Sequence, residues 1–196
     1  MRSEIENKEE NAKNEKLNEK NDVHPEKYID LKKIKYNIGN TKWSTRIFGD
    51  NFVKTNKENL RLKIEGKDIG LCARYQFKEK GENIVEIYEL SPIKNMNCMF
   101  QDTPITSIDL LDNWDVSQVE KMNYMFDNCE FLDSIEPLKK WTVDKVNEMN
   151  CMFLNCFSIK SFETLKDWKL KKDVKKENMF KGINEKALRT KPKTFD

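Results

Sequence analysis

The residues of this 196-residue chain whose types could do chemistry are five cysteines, one histidine and three aspartates set near tryptophans. A nucleophilic cysteine needs a base such as an imidazole within hydrogen-bond reach. His24 is the only histidine and stands beside Pro25 in a charged leader, so no cysteine has a histidine partner in the part expected to fold. Zinc sites bring cysteines in pairs with about two to four residues between them and a second pair elsewhere. Cys151 and Cys156 are five apart, and Cys156 occupies the same inward slot as Cys129. Asp115, Asp144 and Asp167 could pair as carboxylates, but they fall where the chain must turn, and aspartate bends turns. Six glycines leave little room for a phosphate-cradling loop. The expectation is a chain that is not an enzyme, with no catalytic, cofactor-binding or metal-ligating residue.

One polar feature rises above background. Lys169, Lys171, Lys172, Lys175, Lys176, Lys181, Lys186, Arg189, Lys191 and Lys193 outnumber Asp173, Glu177, Glu185 and Asp196. Such a stretch suits an acidic partner, RNA or an anionic membrane surface. Base stacking requires aromatics, and only Phe195 follows Phe180, which disfavours nucleic acid. Over the whole chain, 36 Lys and Arg nearly cancel 34 Asp and Glu, so no global field favours either polyanion. The cysteines sit among apolar neighbours and read as reduced core thiols in a non-oxidising compartment. No apolar run approaches the ~18 residues of a membrane span, and the opening MRSEIENKEE is unlike a signal peptide. The localisation expected is cytoplasmic, with a surface or secreted protein only if the true N-terminus lies upstream.

The elements that must position these residues repeat. Val116, Val119, Met122, Met125-Phe126, Cys129, Leu132, Ile135, Leu138 and Trp141 return 27 residues later as Val143, Val146, Met149, Met152-Phe153, Cys156, Ile159, Phe162, Leu165 and Trp168. An earlier copy runs from Ile93 to Trp114, one residue short between Gln101 and Pro104, and a degraded one starts at Leu170. A fixed period in this range marks units that stack to bury a shared core, that is, a solenoid. Asp173 and Lys176 replace apolar residues in the last copy, as a terminal cap requires. The i, i+3, i+4, i+7 spacing of Met122, Met125, Phe126 and Cys129 predicts one short helix per coil. The tryptophans and the Met-Phe pairs should form inward ladders. Function is then left to outward positions that differ between copies, such as Tyr124 against Cys151, Gln118 against Lys145 and Glu120 against Asn147.

Upstream the period changes to two. Ile34 to Ile38, Arg61 to Ile64 and Ile84 to Tyr88 alternate as half-buried strands, with Ala73 to Phe77 a looser case. Asp50 or Asn51 should cap a short helix from Phe52 to about Asn59. The division expected is a disordered charged leader at 1–27, a strand-rich head at 28–90, the repeats with their cap at 91–183, and a basic tail at 184–196.

The run Trp114-Asp115-Val116-Ser117-Gln118-Val119-Glu120-Lys121-Met122-Asn123-Tyr124-Met125-Phe126-Asp127-Asn128-Cys129 resembles the repeat unit of the BspA-like leucine-rich-repeat family, also met as the mycoplasma-type surface-lipoprotein repeat and in protist proteins. The neighbouring copy keeps Trp141, Val143, Val146, Met149, Met152, Phe153 and Cys156. The resemblance implies an α/β repeat fold, a short leucine-rich-repeat-like solenoid of about 27-residue coils behind a small α+β head. It also implies a non-enzymatic scaffold acting through an unidentified protein partner. The alternative is a basic C-terminal region that associates with RNA or an anionic membrane surface.

Overall fold

Alternation in the head produces strands with one wet and one dry face. The computed structural model describes residues 30–196, so the expected leader and His24 lie outside the described residues. Strands β1 (Asp30–Ile38), β3 (Leu60–Ile64), β4 (Lys67–Gly70) and β6 (Gly81–Glu89) form one antiparallel sheet in the order β1-β6-β3-β4. Ile34, Tyr36 and Ile38 of β1 and Val85 and Ile87 of β6 turn inward, while Lys33 and Glu86 meet at 3.1 Å on the outer face. Glu65 and Gly66 join β3 to β4 with φ of 49° and 77°, the two-residue turn whose twist matches a hairpin. A second sheet pairs β2 (Thr45–Arg46) with β5 (Arg74–Tyr75). Helix α1 (Asp50–Asn56) follows Gly49, and neither Asp50 nor Asn51 caps it.

The α/β leucine-rich-repeat-like solenoid expected for the rest is corrected by the structure. The regular elements are two antiparallel sheets with few helices, a sheet-rich small domain, and among the described residues the only other α-helix is α2 (Glu185–Leu188). No 27-residue segment carries the short helix predicted at Met122 to Cys129 or Met149 to Cys156; both stretches are turns. The physical reason is where the N–H groups point. Met122, Tyr124, Phe126 and Asn128 donate to the carbonyls of Glu148, Asn150, Met152 and Leu154 rather than to carbonyls four residues back. Left-handed φ at Tyr124 (55°) and Asn128 (58°) turns alternate amides outward, which an α-helix forbids. Short 3₁₀ turns lie instead at Asp109–Leu111, Glu136–Lys140 and Glu163–Asp167, each ahead of a tryptophan.

Neighbouring segments are joined by single-residue parallel bridges, Asn95 to Lys121, Lys121 to Glu148 and Glu148 to Lys175. Inside them Phe48, Phe100, Phe126, Phe153 and Phe180 succeed one another at centroid separations of 6.0, 5.5, 5.5 and 6.1 Å. The Trp141 and Trp168 indoles donate to the carbonyls of Leu111 and Leu138. One apolar core runs unbroken from Ile34 to Phe195. The head closes its near end: Gly49 N–H donates to Met99 O, and Asn56 Nδ2 to Asn95 O. A methyl on Gly49 would stand 2.1 Å from the Cys98 carbonyl oxygen, so only glycine allows that approach. Residues 184–196 fold back over the far end, where Phe195 meets Phe180 edge-on at 5.6 Å.

Candidate functional site

The two most exposed large apolar side chains of the segments, Phe131 and Phe157, stand on adjacent turns. Cys129 and Cys156 point inward, their thiols donating to the carbonyls of Phe100 and Phe126. Leu132 N–H then returns to Cys129 O, and Ile159 N–H to Cys156 O, closing two tight turns. The central residues of those turns, Glu130-Phe131 and Phe157-Ser158, have nowhere to go but outward. Phe131 is 60% exposed and Phe157 51%. Ser158 Oγ donates to Glu130 O, and Lys160 N–H to Asp133 O, so the turns lie side by side. Pro104 holds the matching position in the preceding segment, and a cleft of about 390 Å³ runs among Asp102, Thr103, Pro104, Asn128, Glu130 and Phe131. Phe131 therefore borders a cleft that carries Asp102 and Glu130, and Phe157 stands on the adjacent turn. Trp43, 74% exposed, is a separate aromatic between β1 and β2.

The residues singled out from sequence fall into three groups. The cysteines are unpaired thiols, and desolvation raises Cys72, Cys98, Cys129 and Cys156, the last to about 12. Cys151 faces the Glu177 carbonyl while Cys156 faces that of Phe126, so the two do not converge. Among the described residues no group of three or more His, Cys, Asp or Glu could hold a metal. Asp115 accepts the Ser117 N–H in a turn, and that bond holds its carboxyl below the usual range; Asp144 and Asp167 are exposed.

Of the positions expected to face outward and differ between copies, Cys151 is buried instead, and the others are tied to one another. Lys145 Nζ donates to Gln118 Oε1 at 2.9 Å, and Asn147 N–H to Glu120 O. A hydrogen bond to Cys151 raises the Tyr124 phenol. Of the basic residues, Lys171 is bound to Lys145 O and Asn147 Oδ1, Lys176 to Asp196 O, and Lys191 to the Asp196 carboxylate. Phe131, Phe157 and Trp43 were not among the sequence candidates. The two phenylalanines had a signal: each is apolar where its counterpart 27 residues away is Ser158 or Glu130.

The motifs that build these turns decide the family. Residues 72–191 match the family described as "Mycoplasma protein of unknown function, DUF285". The chain belongs to that family. The match starts at Cys72, so it takes in β5 and β6 of the head as well as the 27-residue segments. No curated protein and no solved structure matches the chain. Among the described residues no helix is long and apolar enough to cross a membrane.

Proposed function

We propose that this member of DUF285 is a non-enzymatic protein-interaction module that holds its partner at the corner formed by Pro104, Phe131 and Phe157. One observation carries the reading: two phenylalanines more than half exposed, on turns that lie side by side, on a chain that is 36% charged. Leaving such rings in water forgoes roughly 1.5 to 3 kcal/mol each, and aromatic anchors beside a cleft are the usual centre of a protein interface. Kinship with the BspA-like group, suggested by the Trp-Asp-Val-Ser and Met-Phe-Cys run from Trp114 to Cys129, supports a binding role. Five unpaired thiols support a reducing compartment.

The test is crosslinking mass spectrometry on lysate of the source cell with the full chain and with the Phe131→Ser/Phe157→Ser double variant. The wild type should yield a crosslinked partner at residues flanking the corner. The variant should lose it while unfolding at an unchanged or higher temperature, since neither ring is part of the core. Equal capture by both proteins removes the corner from the interface.

A further inference from the structure

Along one strip of each segment four alternate N–H groups point forward, while beside it Glu120, Asn147 and Lys175 N–H donate back to Lys94, Glu120 and Asn147 O. Met96, Cys98, Phe100 and Asp102 donate forward to the next segment, as do Met122, Tyr124, Phe126 and Asn128. Met149, Cys151, Phe153 and Asn155 then donate to Lys175, Glu177, Met179 and Lys181 at 2.8 to 3.0 Å. The corresponding donors of the last segment, Lys176, Asn178, Phe180 and Gly182, make no hydrogen bond through their N–H groups among the described residues. Their backbone is nonetheless set for one. Asn178 holds φ 53°, against 58°, 55° and 55° at Cys98, Tyr124 and Cys151, and Gly182 holds φ 79° where Asp102, Asn128 and Asn155 are left-handed. Asn178 and Gly182 are exposed, and Lys176 and Phe180 are half-buried where Asp196, Lys191 and Phe195 of the tail pack on their side chains.

We propose that this row of four N–H groups docks an extended acidic peptide from a partner protein, which adds its backbone carbonyls as the next rung. Unpaired backbone edges recruit strands in this way. Polarity disfavours a second copy. Two such edges face to face would set N–H against N–H, and at the opposite end the head already takes Met99 O through Gly49 N–H and Asn95 O through Asn56 Nδ2. Charge selects the peptide. Six lysines and two acids lie between residues 169 and 182, and the aligned peptide dipoles add partial positive charge at the same edge. Lys172 and Lys181 have no ion pair or side-chain hydrogen bond among the described residues. A cleft of about 330 Å³ lined by Leu170, Lys171, Lys172, Lys176, Thr194 and Asp196 adjoins the strip; Asp196, held there by Lys176 and Lys191, already sets one carboxylate beside these lysines, and Lys172 is left for the peptide.

The experiment titrates the ¹⁵N-labelled full chain with N-acetylated, C-amidated hexaglutamate at low salt, with hexaglutamine, phosphatidylserine vesicles and a short RNA as parallel arms. Hexaglutamate should move the Lys176, Asn178, Phe180 and Gly182 amides downfield and slow their hydrogen exchange. The Lys172→Glu/Lys181→Glu variant should bind it about tenfold more weakly or worse, and Lys172→Arg/Lys181→Arg should retain it; thermal melts confirm that both fold. Three outcomes overturn the proposal. The four amides stay unmoved, which makes the lysines a guard that merely blunts the edge. Hexaglutamine binds as well, which removes the acidic specificity. RNA or vesicles bind with the same lysine dependence while hexaglutamate does not, which makes the patch a polyanion surface.

Discussion

At the scale of single residues, the most demanding positions are those where the chain turns left-handed to send an amide to its neighbour. Asn128 does two jobs at φ 58°: its Nδ2 donates to Asp102 Oδ1, and its Oδ1 accepts from Asn155 Nδ2. The two contributions separate by substitution. Asn128→Ala should lose the side-chain bonds and also meet the left-handed penalty of roughly 1 to 2 kcal/mol. Asn128→Gly should lose only the bonds, net about 0.5 to 1.5 kcal/mol apiece, offset in part by freedom from that penalty. Urea denaturation should therefore rank wild type above glycine and glycine above alanine. Alanine equal to glycine would mean that the backbone at 128 is not held left-handed. Gly182, at the same place in the last segment, shows why glycine serves there: a Cβ would come within 2.4 Å of Asn155 Oδ1.

At the scale of elements, the turn before each tryptophan sets up a bond to the previous segment, and the first one has no previous segment to use. Trp141 and Trp168 reach Leu111 O and Leu138 O at 2.9 Å, whereas the buried Trp114 Nε1 finds no acceptor. Trp141→Phe and Trp114→Phe remove similar apolar area, but only the first breaks a hydrogen bond. The Trp141 variant should be the less stable by about 1 kcal/mol, read from paired denaturation curves; equal losses would show that the indole bond contributes nothing net. These inward residues were legible in the amino-acid pattern, because a dry position tolerates only large apolar types and repeats with the chain. The strands of the head were legible for the same reason at period two. The turns from Met122 to Cys129 were not. Their i, i+3, i+4, i+7 spacing is shared by a helix and by a strip whose amides leave for a neighbour, and apolar spacing does not record where an N–H goes. Asn and Asp recurring with Gly at 102, 128, 155 and 182 carried that information. The corner at Phe131 was half legible, since the two phenylalanines break the repeat while the tight turns that expose them leave no apolar signature.

At the scale of the molecule, one core links Ile34 to Phe195, so unfolding should be a single transition seen alike by tryptophan fluorescence and far-ultraviolet circular dichroism. Its pH dependence follows from the thiols inside it. Burial pushes the Cys156 thiol from 9.0 up to about 12, and pushes Cys129 well above its ordinary value. Well below pH 9.0 both are protonated whether the chain is folded or not, and they contribute no slope. Between 9.0 and about 12 the unfolded chain has released the Cys156 proton while the folded protein still holds it. Stability must then fall as pH rises, by about 1.4 kcal/mol per pH unit for each such thiol. Ionising lysines and tyrosines add a background slope of their own, so the comparison that isolates the thiol is with Cys156→Ser, whose hydroxyl can still donate to Phe126 O but does not titrate in this range. Urea midpoints measured near pH 8 and near pH 10.5 should drop further for the wild type than for the variant. Parallel drops would mean that water reaches Cys156 and that the column of thiols and phenyl rings is less dry than its burial implies.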